Sequence, residues 1–439
     1  MNIEMNIDSN SPKMKKSRPP AANIFVLGDF SGKGRPDAAP EAMAGIRNMF
    51  TLDPNKLDSA IARIGPTVEA MLGSESVTIP VTSMDSFHPD DLLKMDGLFD
   101  SGHPDSIDPP ETSAPAAAKP AATDSDDSDF DRLLGGTKTS PDAASPAVRS
   151  TLDKLIADAV ASDPSASSTP SENKDFSDHR RSRLRDVLRT AAFQRLESTW
   201  RSLQWLGEHI DYDESASIWL VDADLAAFDS WSTDFMRQVA AGPGSAAALV
   251  VLHDYAADEL SNLQSLARLA GSLNTIAFAG CADSMARLDS DIGKSVALDA
   301  SDFEKAVEGS LAQSKEMTNI VLAYPNVLLR QPYGKRSDPI DAFDFDELGP
   351  APPHDAFLWG SASIVVALMW LTNTLVIDDA LLVTYDDGSG QAIKPPTGAY
   401  MTDSAAEVLL ARGVVPLLAQ RGGTDIRVPR LQSMAHTAV

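Results

Sequence analysis

An α/β fold in two unequal parts, joined by an acidic linker of low complexity, is what this sequence predicts. Three observations carry that expectation. Past residue 216, short apolar runs alternate with stretches of helical periodicity, the signature of strands covered by helices. A shorter strand, turn and helix series occupies residues 21–100. Between them, residues 101–178 shift to Pro, Ala, Ser and Asp, a composition with too little apolar surface to repay ordering.

With 439 residues, the chain is long enough for two or three domains at roughly 150 residues each. Its net charge of −26 argues against non-specific binding to nucleic acid or anionic membrane, both of which reward basic surfaces. Cys281 stands alone, so there is no internal disulfide framework and no CxxC pair for zinc, which suits a reducing cytoplasm. Residues 1–20 are basic with no apolar run behind them, a disordered leader and not a secretory signal. Residues 359–377 are the one candidate membrane span. Their unbroken apolar core, 364–371, is short, and Thr372, Asn373 and Thr374 lead into Asp378 and Asp379, which predicts a buried helix without membrane insertion.

Residues 23–27 read as a buried strand that ends in the turn Gly28-Asp29-Phe30-Ser31-Gly32-Lys33-Gly34. A phosphate loop is excluded by spacing, because three residues separate Gly28 from Gly32 and Gly34 stands where a magnesium-binding Ser or Thr is needed. Asp53-Pro54 supplies an N-cap and a first-turn proline, after which Leu57, Ile61, Ile64 and Val68 form an apolar helical face, divided or kinked at Gly65-Pro66. Residues 77–81 read as a strand, and Phe87-His88-Pro89-Asp90-Asp91 as a helix start in which His88 is a turn residue without a nearby second ligand.

In order and spacing, VLGDFSG, TLDPNKLDSAIARIGPTVEAML and VTSMDSFHPDDLL resemble the small contractile-sheath subunit of type VI secretion systems, TssB. Lys33 replaces the usual Arg and Leu57 a common Phe. Gly28, Asp29, Phe30, Gly32, Phe87 and Pro89 are the motif residues of this 21–100 module.

The 101–178 linker contains two apolar islands. One is Phe130-Asp131-Arg132-Leu133-Leu134 before a Gly pair; the other, residues 146–160, has Val148, Leu152, Leu155, Ile156 and Val160 at helical spacing. Short amphipathic helices in such arms either dock partners or pack on their own domain.

Residues 184–210 open the larger part. Leu184, Leu188, Ala192, Leu196, Trp200, Leu203 and Ile210 line one face of an expected continuous helix, to be buried in the core. Arg185, Arg189, Arg195 and Arg201 form a basic opposite side, either solvated or free to dock an acidic copy of the chain. Strands are expected at 217–221, 247–252, 274–279, 319–323, 380–384 and 414–418, with helices at 225–240 and 258–270. Asp222, Asp224, His253 and Asp254 follow strand ends, where α/β enzymes place chemistry, and are the best enzymatic candidates. No nucleophile elbow, HExxH, dinucleotide fingerprint or EF-hand loop accompanies them, and the Asp pairs double as helix N-caps. Cys281, inside an apolar run, reads as a buried inert thiol.

Further on, NVLLRQPYGKRSDPIDAFDFDEL precedes FLWGSASIVVAL. Pro332 and Gly334 around Tyr333 predict a rigid turn, with Arg330 beside Asp341, Asp344 or Asp346 as ion-pair partners. AAFQRLESTWRSLQWL, this segment and PPTGAYMTDSAAEVLLARGVVPLL together resemble the large sheath subunit, TssC, with Ser202, Ser361 and Gly398 replacing a Gly, an Asn and an acid of its pattern. Trp200, Arg201, Arg330, Pro332, Tyr333, Gly334 and Trp359 carry that match.

The two resemblances imply one chain fusing the small and large subunits, the large-subunit-like domain running over 179–435, an α/β sheath core with no cofactor or catalytic site. They imply partners among sheath subunits, an Hcp-like inner-tube protein, baseplate proteins and a ClpV-type AAA+ ATPase that engages a helix such as that of Leu152, Leu155 and Ile156. Relative to the family, the helical tail after Phe99 and the region beyond the LQSMAH segment are expected to be missing, which leaves open an accessory or cap role beside a sheath-building one. An α/β hydrolase-like enzyme is the third reading.

Overall fold

The computed structural model describes residues 22–33, 45–95, 97–99, 170–210, 216–286 and 315–439, with backbone alone for 170–177 and 315. The leader, residues 101–169 with both apolar islands, and Leu152, Leu155 and Ile156 lie outside the described residues. Met1–Leu98 and Arg181–Val439 belong to one compact unit; Phe99–Arg180 make a second, whose described part is Phe99 and the start of the helix Pro170–Leu188.

In chain order the strands are β1 (Ala22–Gly28), β2 (Ile46–Leu52), the hairpin β3 (Thr67–Leu72) and β4 (Glu75–Pro80), β5 (Ala216–Ala223), β6 (Ala248–Tyr255), β7 (Ile276–Cys281), β8 (Ile320–Tyr324), β9 (Val327–Leu328), β10 (Trp359–Gly360), β11 (Val376–Ile377), the hairpin β12 (Val383–Asp386) and β13 (Gln391–Lys394), β14 (Val414–Pro416), β15 (Leu418–Ala419) and β16 (Ile426–Arg427). The helices are α1 (Leu57–Ile64), α2 (Pro89–Leu92), α3 (Pro170–Leu188), α4 (Ala191–His209), α5 (Phe228–Ala241), α6 (Leu260–Ser272), α7 (Asp283–Ala286), α8 (Ser363–Thr372) and α9 (Asp403–Ala411).

Among the described residues, seven strands form one mixed sheet in the order β14-β8-β7-β6-β1-β5-β2, parallel except for the edge strand β2. The central strands read as near-continuous apolar runs because both of their faces are covered. On one face lie Phe228, Trp231 and Phe235 of α5 and Leu263 and Leu266 of α6, packed on Phe25, Leu249 and Leu322. The other face is covered by α8, whose residues from Ser363 to Met369 are all buried. That helix is the expected apolar segment, and no helix among the described residues is long and apolar enough to cross a membrane.

The small and large parts share this sheet. β1 lies between β5 and β6 and pairs with both, Phe25 standing opposite Trp219 on one side and Leu249 on the other. Removing β1 would expose backbone donors and acceptors of two central strands at once.

Several local expectations shift. Residues 184–210 form two helices, broken at Thr190, whose extended backbone (φ −65, ψ 133) starts α4 while its hydroxyl donates to Val187 O. α1 ends at Gly65 in the left-handed conformation (φ 61), so Val68 belongs to β3 and faces the core from a strand. The strand expected at 380–384 is displaced into the β12–β13 hairpin, apart from the main sheet, and β2 had no clear local signal.

Gly280, in β7, has no room for a side chain. A Cβ there would lie 1.6 Å from Asp254 Oδ1 and 2.5 Å from Ser361 Oγ. Gly280→Ala is expected to lower stability by about 1–3 kcal/mol through overpacking, read as a lower urea midpoint with unchanged slope.

Candidate functional site

The residues singled out by sequence converge where the small part meets α4 and the 328–348 segment. At the end of β1, Phe30 turns inward and is fully buried edge-on against Trp200, 5.1 Å between ring centres, while Trp200 Nε1 donates to Phe30 O at 3.0 Å. Gly28 is needed for close approach, since a Cβ would stand 3.0 Å from the Thr199 methyl. Gly32 adopts φ +68 and its absent Cβ would strike Thr67 O at 2.5 Å, two reasons for glycine at one position. Asp29 accepts from Lys33 N at 3.2 Å and pairs at 2.5 Å with Arg47, which also reaches Asp222 at 3.0 Å. Ser31 N and Oγ both donate to Asp222. Burial opposes the charge on Arg47, but Asp222 and Asp29 outweigh it and raise its pKa.

A second, deeper network surrounds Arg330. This residue is buried, and its guanidinium bonds Glu197 at 2.7 Å and Glu347 at 2.7 and 2.8 Å and lies 4.1 Å from the centre of the Tyr333 ring. Arg201 Nε also donates to Glu197 at 2.7 Å and its Nη2 to the Tyr333 hydroxyl at 3.0 Å. Tyr333 N donates to Glu347 at 2.7 Å, and its hydroxyl donates to Phe87 O at 3.4 Å, which ties the small part to the network. Two cations and two carboxylates thus balance in a buried site with most lone pairs satisfied, the condition under which such pairs persist. Burial alone would raise the Glu197 pKa; Arg330 and Arg201 reverse that and hold it below the ordinary value. Arg330 is also raised, because Glu197 and Glu347 overcome its desolvation.

The expected partners of Arg330 were wrong. Asp346 caps the backbone of Leu348 and Gly349, and Asp341 N donates to Asp90, so both stay at the surface while Glu347 turns inward. Pro332 and Gly334 shape the turn that carries Tyr333: Ser337 Oγ donates to Pro332 O and Gly334 N to Asp338 O at 2.8 Å. Phe87 is fully buried against Phe193, 5.7 Å between centres, and Pro89 occupies the first turn of α2. His88 caps that helix through Nδ1, accepting from Asp90 N at 3.2 Å, with its ring edge-on to Tyr333.

Part of the basic face is engaged within the chain itself, although Arg189 keeps its exposure. Arg181, Arg185 and Arg189, one helical turn apart, donate to the carbonyl oxygens of Asp344, Asp346, and Glu347 with Leu348. Arg195 remains exposed. Trp359 follows the same pattern, its carbonyl accepting from Ser198 Oγ at 2.8 Å.

Asp224, His253 and Asp254 line a cleft of about 600 Å³ at the carboxyl ends of the sheet strands. Asp224 caps Ala226 N at 2.9 Å, and His253 is paired with Glu259 at 2.9 Å. Asp254 is raised by burial, although nearby Ser361 and Asn326 favour its charge. Among the described residues no hydroxyl or thiol is bonded to His253, and Asp222 lies in the Arg47 network, so these groups form no nucleophile–base pair. The Cys281 thiol is fully buried and pushed up by burial. Among the described residues no group of His, Cys, Asp and Glu could hold a metal ion.

Glu197, Glu347, Arg47 and Arg181 were missed. Glu197 carried a signal, lying four residues before Arg201 on the apolar face of α4; the other three depend on distant partners.

Residues 257–430 match the family VipB, described as the EvpB/VC_A0108 tail sheath N-terminal domain. Over 271 residues the chain is 22% identical to the type VI secretion system sheath protein TssC1 of Pseudomonas aeruginosa, covering 53% of this chain and 54% of that protein. The chain therefore spans about half the length of this curated relative. Both similarities are to sheath proteins.

Proposed function

We propose that this chain is a cytoplasmic structural subunit of a type VI secretion sheath, in which one polypeptide supplies both the small- and the large-subunit parts. The observation that carries this reading is the insertion of β1 into the centre of the sheet whose other parallel strands come from the large part. Covalent linkage would hold the two parts at one to one and raise their effective concentration for each other. The Arg330 and Arg47 networks, with the Phe30–Trp200 contact, then act as the internal fastening that lets the unit bear load as one body. No catalytic or cofactor role is assigned.

Repeated addition through an open, heterologous contact would build a helical tube around an Hcp-like inner tube, started on baseplate proteins. A switch between two packings would drive shortening and effector delivery. Recycling by a ClpV-type ATPase would use the segment around Leu152, Leu155 and Ile156.

Electron microscopy of negatively stained full-length protein, alone and with a candidate inner-tube protein, tests the reading. Hollow tubes or stacked rings are expected. Discrete particles under both conditions would overturn a self-sufficient sheath builder and favour an accessory or cap subunit acting on another sheath.

A further inference from the structure

Beyond the networks already described, one buried cation is held mainly by aromatic faces. Lys394, on β13, is 2% exposed. Its ammonium lies 4.5 Å from the centre of the Phe357 ring and 5.5 Å from that of Trp359, and 3.3 Å from His354 Nδ1. His354 in turn stacks on Trp359, 4.7 Å between centres and 12° between planes, and Trp359 Nε1 donates to His354 O at 2.9 Å. The ammonium is thus held by one neutral nitrogen and two aromatic faces. This contact joins β13 to the segment 353–360, which α4 grips through Gln194 to Asp355 O and Ser198 to Trp359 O.

We propose that Lys394 and His354 form a pH-sensitive lock between the β12–β13 hairpin and the 353–360 segment, closed by one shared proton and opened by a second. With one proton, Lys394 donates to the imidazole. With two, both groups are cations 3.3 Å apart, neither able to accept from the other, and the hairpin must move away. Ionisable groups around the pair do not cancel this. Asp283 of α7 and Asp355 beside His354 favour its charge, but less than burial and Lys394 oppose it, so its pKa falls to about 4. Tyr385 of β12 lies edge-on to Phe357. Arg195 of α4, which lines the same cleft as His354, adds positive charge. Burial also lowers Lys394, to about 8. Because the closed state depresses the His354 pKa, its stability is complete above the ordinary value of 6.5 and is lost as pH falls towards 4. This inference stands apart from the sheath reading.

Hydrogen–deuterium exchange of residues 383–394 in the full-length protein, corrected for intrinsic rates, tests it. Between pH 6.5 and pH 4, protection of the wild-type hairpin is expected to fall at least about tenfold. His354→Gln, which removes the titrating group, is expected to keep its protection over the same range, and Lys394→Met, which removes one of the two causes of the depressed imidazole pKa, to lose less than the wild type. A wild-type hairpin indifferent to pH, or an equal loss in both variants, would overturn the lock. NMR titration of ¹³C-labelled histidine in the wild type supplies a measurement independent of the variants: an ordinary pKa for His354 would also overturn it.

Discussion

Arg330→Met is expected to destabilise the protein by about 3–5 kcal/mol, because it takes from the buried Glu347 carboxylate its guanidinium and leaves Glu197 with Arg201 alone. The loss is not that of a surface ion pair, which contributes little. It is the cost of uncompensated buried charge. The pH dependence should separate the two explanations. In the wild type the Glu197 pKa is depressed, so its contribution is present above the ordinary value of 4.5 and lost as pH falls through the folded-state value. In Arg330→Met the acids gain by protonation, so the deficit relative to wild type should narrow as the solution is acidified. Urea unfolding at neutral and acidic pH measures both. A deficit that is small, or unchanged by pH, would mean that the network carries less than its geometry indicates. The double variant Glu197→Gln with Arg330→Met should recover part of the loss, since it removes charge from both sides.

Trp200→Ala is expected to cost a further class of stability, about 3–5 kcal/mol, through a cavity under the Phe30 ring and the loss of the donor to Phe30 O. Its effect should be local before it is global. The turn 28–32 leaves β1 directly above Trp200, so amide exchange there should rise more than in β6 or β7. Trp200→Phe should restore most of the packing but not the hydrogen bond, which separates the two contributions. If exchange instead rises evenly over the sheet, the small part is fastened by β1 pairing alone and the aromatic contact is secondary.

How much of this was legible beforehand follows from the range of each interaction. Strand β1, the tight glycine turn after it, the apolar stripe of Leu196, Trp200 and Leu203, and the helices α5 and α6 are written in periodicity and turn chemistry, which act over a few residues. The inward burial of that stripe is a local consequence of its spacing. Glu197 was equally available, as an acid on the apolar face one turn before Arg201.

Other features have no local cause. The Arg181, Arg185 and Arg189 ladder looks like a solvated face, because its acceptors are carbonyl oxygens of a loop about 160 residues away in sequence. The choice of Glu347 over Asp344 or Asp346 by Arg330 depends on which of several neighbouring acids the turn at Tyr333 directs inward. β2 has half-buried residues through most of its length and becomes a strand by pairing with β5.

By itself, then, the sequence determined an acidic α/β chain with two element-rich parts, their strands and helices, and the glycines and aromatics of their turns, since these obey short-range sterics and burial. Tertiary structure alone decided that the two parts share one sheet. The place of β1 between β5 and β6 rests on backbone pairing that every extended apolar run satisfies equally well, and only the competition of all strands for neighbours, helices and buried charge partners selects one order.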